Sequence, residues 1–428
     1  MYIDCFMKIG ILTYHCVPNF GAQLQAISTV GFLKRMGHEP IVLHWYPMEL
    51  EQLYEGRIPQ EQLHCHEVFT SDVLPVSRLC RTEDELVKEI ERLNLDGMVV
   101  GSDALFKYTP SSVRNHPLRK LYRKIRGVQP HWDLMEGNPF FGHFAEKLTK
   151  KIPLCAFSVS SQNAPFRAMN DEETAYMKRG MDNFSFISVR DEWTKQMVEY
   201  VTHKSNVSIT PDPVFSFNQN YYGVLPTKEE ILQKFSLPDN YVLLSFSKHY
   251  MKADYIRQLA DELLNNHLQP VAFPMPEVLQ RFGLNKYIPL PLNPLDWYAL
   301  IKYSKGYIGE RMHPIVVSLH NAVPFFCFDE YGTYSSLIDR ILGRHILSSS
   351  KTYLILKRAG LTDCMYSYHS QLPFPEVSTV VNGIKSFDCR KCSDFSKEMQ
   401  VLYTKSMEMT LSEIETGSCM STHNHLPL

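Results

Sequence analysis

Short apolar runs alternate along the chain with longer stretches of helical period. "MKIGILTY" (7–14) is β-rich and passes into the polar, Pro- and Gly-containing loop "HCVPNFGAQ" (15–23). A helical pattern follows through Met36 and is closed by Gly37, and "PIVLHW" (40–45) reads as a second strand. A charged helix over 83–93 precedes "DGMVVGSD" (96–103), again a strand running into a loop. "PLCAFSVSS" (153–161), "FSFISVRDE" (184–192) and "VSITPDPV" (207–214) repeat the theme with helical stretches between them. Such βα alternation predicts a parallel sheet covered by helices on both faces.

The strand-rich series stops near Phe217, and "NQNYYGVLPTKEE" (218–230) reads as a linker or domain surface. A second series runs through "YVLLSFS" (241–247), "PVAFPM" (270–275), "KGYIGE" (305–310) and "VPFFCFD" (323–329). The expectation is therefore α/β, with an N-terminal domain at 1–222, a second domain at 223–371 and a C-terminal extension at 372–428. The stretch 107–138, rich in Arg, Lys, His and Pro, is expected to be an irregular insertion of the first domain near the cleft between the two. Open α/β sheets bind ligands beyond the carboxyl ends of their strands, so the polar residues that follow each strand are the candidates for chemistry.

Composition narrows the class. With 428 residues, 44% hydrophobic, 21% charged and a net charge of −2, the chain fits an ordinary globular protein with material for two cores. The charge argues against nucleic acid as a partner. No apolar run approaches the roughly 18 residues of a membrane span, and no basic-then-apolar signal opens the sequence. A cytoplasmic location is expected. The ten cysteines, sparsely spaced, read as reduced thiols. Cys389 and Cys392 stand at C-x-x-C spacing with no second pair; plain thiols are expected there, with zinc held together with Cys364, Cys419, His423 or His425 as the alternative.

The strand ends hold His15 and Asn19, Ser102 and Asp103, Arg190, Asp212, and the run Glu310, Arg311, Met312, His313. A helix starting after Arg311 offers free N–H groups and a positive dipole end to an anion. Arg311 adds a fork of donors suited to carboxylate or phosphate, and His313 a group that moves protons near neutral pH. Each has a plainer reading. Arg190 can pair with Asp191 or Glu192, Arg311 can be a structural ion-pair partner, and Asp103 a helix cap. His15 and Asn19 can be ordinary loop residues, and Asp212, between two prolines, a turn former.

In their order, "KIGILTYHCVPNFGAQLQA", "VVGSD", "FISVRDEWT", "ITPDPVF" and "RMHPIVVSLHNAVPFFCFDEYG" resemble the polysaccharide pyruvyl transferase family. The resemblance covers roughly four-fifths of the chain, and its last segment is the most specific. It implies two facing Rossmann-like domains of GT-B-like architecture, with the first domain on the acceptor side. It implies transfer of the pyruvyl group of phosphoenolpyruvate to a sugar, galactose as a 4,6-ketal being expected, on a surface polysaccharide or lipid-linked precursor. Arg190 and Arg311 look like the family's substrate-binding arginines and His313 like its essential histidine. Asp103 and Glu310 are further candidates for activating the sugar hydroxyl, with Met312, His15, Asn19 and Ser102 around the substrate. The donor is a substrate, so no cofactor and no metal are expected.

Two other classes stay open: a glycosyltransferase using a nucleotide sugar, and a non-catalytic glycan-assembly protein of the same fold. The segment 111–127, with Arg119, Lys120, Arg123 and Lys124 opposite Leu118, Leu121 and Ile125 on a helix starting near Pro117, is expected to make a peripheral contact with the inner membrane face, a solvated basic face or an internal anion clamp being the plainer reading.

Overall fold

The structure is a computed structural model that describes residues 6–115, 117, 138–247, 251–329, 333–334, 345–346, 350–368 and 372–423, with only the backbone for 333–334, 345–346 and 419–423. Two parallel sheets organise it. The first holds β1 (Lys8–Leu12), β2 (Glu39–Val42), β3 (Gly97–Val100), β4 (Leu154–Val159), β5 (Phe186–Val189) and β6 (Ser208–Ile209), in the order β2-β1-β3-β4-β5-β6. The second holds β7 (Tyr241–Ser245), β8 (Gln269–Ala272), β9 (Gly306–Gly309), β10 (Phe325–Asp329) and β13 (Met365–Ser367), in the order β13-β10-β9-β7-β8. Between them in sequence, β11 (Thr333–Tyr334) and β12 (His345–Ile346) form a small antiparallel pair.

Both sheets follow the same doubly wound course, in which the second strand lies outside the first and the third pairs on its other side. The strand order reverses between β1 and β3 in one sheet and between β7 and β9 in the other. Central strands such as "GMVV", "LCAFSV", "YVLLS" and "FFCFD" are buried at every position because helices cover both faces. Every strand read from the apolar runs is present. "PIVLHW" pairs only as far as Val42; beyond it Trp45 makes a single bridge to Cys80. Two helices, Met48–Tyr54 and Gln60–Val73, and the edge strand β13 have no counterpart in the sequence reading.

The helix Phe20–Arg35 is buried from Phe20 to Leu33 around its whole circumference, because it lies between the first sheet and the second domain. Most of its inward polar groups are satisfied, Gln25 Oε1 being the exception among the described residues. Gln23 bonds His66 and Thr70, and Ser28 bonds the Pro213 carbonyl. Across the domain boundary Phe20 stacks on Trp297 with centroids 5.2 Å apart, and the Gln62 amide exchanges two hydrogen bonds with the Leu292 backbone. One continuous core therefore runs through both domains.

The described part of the 372–428 stretch is integral to this core. The helix Val377–Lys385 packs on the second domain, and the 35-residue helix Cys389–His423 crosses back to the first sheet. There Ile414 fills the space over Gly97, and the Ser418 hydroxyl donates to the Asp96 carbonyl. Of the predicted insertion, residues 107–115 form a loop and the short helix Ser111–Arg114; the basic helix expected near Pro117 lies outside the described residues.

Candidate active site

The two strand-order reversals open into one cleft of about 310 Å³. From the first domain come Tyr14 and Asn19 after β1, Asp103 and Lys107 after β3, and Gln162 after β4. From the second come Ser245 at the end of β7, Met275 and Glu277 after β8, Arg311, Met312 and His313 after β9, and Lys351.

Two long helices point their N-termini into this space. Asn19 caps the Phe20–Arg35 helix by accepting from the amides of Gly21 and Ala22, at 3.0 and 3.3 Å. The Ncap residue of the Met312–His320 helix, Arg311, makes no side-chain capping hydrogen bond among the described residues. The positive end of this helix faces the cleft, as an anion site requires. Arg311 is half-exposed, with Nη2 3.6 Å from Glu277 and 3.4 Å from the Met275 sulfur.

After β3 the chain turns sharply. Gly101 has φ +141, and a Cβ there would stand 2.0 Å from the Phe157 carbonyl oxygen. Asp103 itself has φ +114, a conformation a non-glycine residue holds only under constraint. No helix follows, so Asp103 is not a helix cap; its carboxylate accepts from the Ala104 amide at 2.7 Å and faces the cleft.

Behind the cleft floor lies a buried charge cluster centred on Asp212. Its carboxylate accepts from Arg190 Nη1 at 2.8 Å, Gln25 Nε2 at 2.6 Å and the Val214 amide at 3.0 Å. His313 Nε2 is 4.0 Å away, and Arg190 Nη2 lies 3.8 Å from Asp103. Arg190 thus pairs with Asp212. Asp191 is taken up as the Ncap of the next helix, accepting from the Thr194 amide and hydroxyl. Arg190 Nε and Nη2 and His313 Nε2 are buried without a hydrogen-bond partner among the described residues, which is unusual unless a ligand completes them.

Electrostatics divides the roles. Loss of water lowers the His313 pKa to about 4, against the pull of Asp212 and Asp103 in the other direction, so the ring is neutral at pH 7. Burial on its own would raise the Asp212 carboxyl; Arg190 and His313 outweigh it and hold the group below the usual carboxylate range. Burial and then the nearby Arg190 charge pull Lys351 down to about 8, with Asp103, Asp191 and Asp212 opposing.

The structure brings together Asn19, Asp103, Arg311, Met312 and His313 on the cleft, with Arg190 directly behind them. His15, Ser102 and Glu310 stand off its lining. His15 is fully buried on the far side of the β1 loop, since neighbouring residues at a strand end point opposite ways and Tyr14 takes the cleft side. Ser102 donates to the Ser158 carbonyl. Glu310 accepts from the Ser247 amide at 2.9 Å and the Tyr368 hydroxyl at 2.8 Å, so both its oxygens brace the second sheet. The sequence reading passed over Gln25, Lys351 and Gly21; it listed Asp212 among the strand-end residues, favoured a turn former there and gave it no place among the site residues. The placement of Asp212 in "PDP" directly after a strand was the one signal available.

The family model described as polysaccharide pyruvyl transferase matches residues 19–330, more than half of the chain. The chain belongs to the polysaccharide pyruvyl transferase family. That match runs from the Asn19 cap through the Arg311–His313 segment and stops short of Lys351. No curated protein matches the sequence. Among solved structures, the spinosyn forosaminyltransferase SpnP is similar at 10% identity and a TM-score of 0.48, over 96% of this chain and 100% of that one. UDP-N-acetylglucosamine 2-epimerase from Rickettsia bellii is similar at 11% identity and a TM-score of 0.48, over 96% and 98%. The glycosyltransferase SnogD from Streptomyces nogalater is similar at 10% identity and a TM-score of 0.46, over 96% and 100%. Likeness at this level speaks to neither activity nor substrate. No described helix is long and apolar enough to cross a membrane.

Proposed function

We propose that this family member transfers the pyruvyl group of phosphoenolpyruvate to a sugar of a surface polysaccharide or its lipid-linked precursor, with a 4,6-ketal on galactose as product. One observation carries the reading: in a chain of this family, Arg311, Lys351 and a helix N-terminus converge on a neutral histidine in a small cleft. A small anion with a carboxylate and a phosphate matches that set of donors.

The chemistry divides among the residues as follows. A proton adds to the methylene carbon of phosphoenolpyruvate, leaving an oxocarbenium-like C2. One sugar hydroxyl bonds to C2, the bond from C2 to the phosphate oxygen breaks, and a second hydroxyl closes the ring. Of the two hydroxyl protons, one balances that taken up by the methylene and the other leaves with inorganic phosphate. His313, neutral, accepts a hydroxyl proton. Lys351, charged below about pH 8, supplies the proton. Arg311 and the helix N-terminus bind the departing phosphate. Arg190, with its orphaned nitrogens, stabilises negative charge at the cleft floor, and Asp103 orients the acceptor. On this reading the acceptor is met at the inner membrane face, the chain being held there peripherally by its basic 111–127 segment.

The test is incubation with phosphoenolpyruvate and galactose-bearing acceptors, read by phosphate release and product mass. Phosphate release with an acceptor heavier by one pyruvate less water is expected. Turnover with a nucleotide sugar and none with phosphoenolpyruvate would replace this reading by glycosyl transfer; binding of a glycan without turnover of either donor would replace it by a non-catalytic role.

A further inference from the structure

On the opposite side of the β1 loop from the cleft, His15, Cys16 and His44 offer two ring nitrogens and a thiol sulfur, all within 4.8 Å of one another. His15 is fully buried, and its Nδ1 lies 3.0 Å from the Thr13 carbonyl. A carbonyl can only accept, so Nδ1 carries the proton and Nε2 presents a lone pair. That Nε2 is buried with no hydrogen-bond partner among the described residues. A histidine whose outer nitrogen is tied to a carbonyl while the other is left open is the arrangement found at metal ligands. The His15 and His44 rings meet edge to face with centroids 5.2 Å apart. Cys16 makes one long contact, 3.5 Å from its sulfur to the Trp45 carbonyl.

We propose that His15, Cys16 and His44 form a zinc site, with a fourth position open to water. Two imidazoles and a thiolate suit a borderline-soft divalent ion better than magnesium or calcium, which take oxygen. The surrounding charges fit. Burial, then His44, lowers the His15 pKa to about 3, so the ring is neutral and needs no deprotonation to bind. Burial, then Arg81, lowers that of His44 in the same direction. Burial raises the Cys16 thiol, whose proton the metal displaces on binding. Arg81, whose charge acts on both Cys16 and His44, is paired with Glu51 at 2.6 Å.

The site is independent of the proposed reaction and does not touch phosphoenolpyruvate. Its effect is on position. Val17, Pro18 and Asn19 follow it directly and line the cleft, so a metal at His15 and Cys16 pins the loop that begins the Phe20–Arg35 helix. His15 and Cys16 also precede the span matched by the family model, which begins at residue 19.

The experiment uses the full chain, reduced and stripped with chelator, then titrated with Zn²⁺ against a chromophoric chelator and separately with Co²⁺. About one zinc per chain is expected, with a thiolate-to-cobalt charge-transfer band in the near ultraviolet. Cys16→Ser should abolish that band. Cys16→Ser and His44→Gln, both at partly exposed positions, should each weaken zinc binding by about 100-fold or more, since loss of an outer partner alone costs up to that much. Circular dichroism of the stripped variants checks that they fold, and His44→Gln serves if Cys16→Ser does not. Zinc binding equal in the wild type and the Cys16→Ser, His44→Gln double variant overturns the proposal. So does zinc that is lost only in Cys389→Ser, or uptake of Cu⁺ alone.

Discussion

Gly21 lies against the imidazole of His313: a Cβ at position 21 would stand 2.1 Å from its Cγ. The two residues belong to different domains and to the first turns of the two helices whose N-termini meet in the cleft. Glycine at 21 is thus required by the position of a side chain almost three hundred residues away in the sequence. Gly21→Ala must move the ring, and a displacement of about 1 Å in a reacting group costs on the order of 100-fold. We expect kcat/KM for pyruvyl transfer to fall by about that factor with the fold retained by circular dichroism. Unchanged kinetics would remove His313 from the reaction.

Asp212→Asn leaves the buried Arg190 without its hydrogen-bonded counter-charge and with only the more distant Asp103 carboxylate, 3.8 Å away. Breaking a buried pair in this way costs about 3–5 kcal/mol, so the urea midpoint should drop well below that of the wild type. An acid-stability scan gives the sign independently. The folded-state pKa of Asp212 lies below its unfolded value, so its contribution is complete above the ordinary carboxylate range and fades as pH falls through the folded pKa. The variant should lose that part of the acid dependence. A urea midpoint equal to that of the wild type would show that the pair contributes nothing.

The pH profile of kcat/KM should be bell-shaped. His313 must be neutral to accept a proton, so activity rises through about pH 4. Lys351 must be charged to give one, so activity falls through about pH 8. Lys351→Met should lower the plateau, remove the alkaline limb and move the acid limb to higher pH, because the Lys351 charge helps to hold the His313 pKa down. An alkaline limb that survives the substitution assigns it to another group.

Arg311→Gln removes the exposed member of the anion set. A charge-assisted hydrogen bond is worth about 1.5–3 kcal/mol, so KM for phosphoenolpyruvate should rise roughly 10- to 100-fold. Arg311→Lys should recover only part of this, because an ammonium lacks the planar fork. A normal KM with a depressed kcat would instead place Arg311 in the transition state alone.

Much of this arrangement could be read from the chain. Strands such as "YVLLS" and "FFCFD" are apolar throughout because both faces are covered, a local signal that survives without tertiary knowledge. The Arg311–His313 segment was legible because a strand end and a helix start adjoin there. Other features depend on distant partners. Gln25 sits mid-helix like any polar residue until Asp212 arrives from 187 positions away. Lys351 follows no motif and reaches the cleft only through the start of its helix. The difference between His15 and Tyr14 is one step of strand alternation, and a loop written as a string does not say which of the two faces the ligand.

The terminal helix bears on how substrates arrive. Cys389–His423 is a single rod, on the order of 50 Å long at 1.5 Å per residue, embedded at one end among the second domain's helices and at the other beneath the first sheet. With a rod fixed in both lobes, a wide hinged gape would have to pull Ile414 and Thr410 out of the hydrocarbon around Gly97 and Cys155. The mouth of the cleft is therefore set by its rim loops rather than by swinging of the lobes. On the proposed reaction, a donor as small as phosphoenolpyruvate would pass such a mouth whole, while a long glycan would need to present only its terminal sugar.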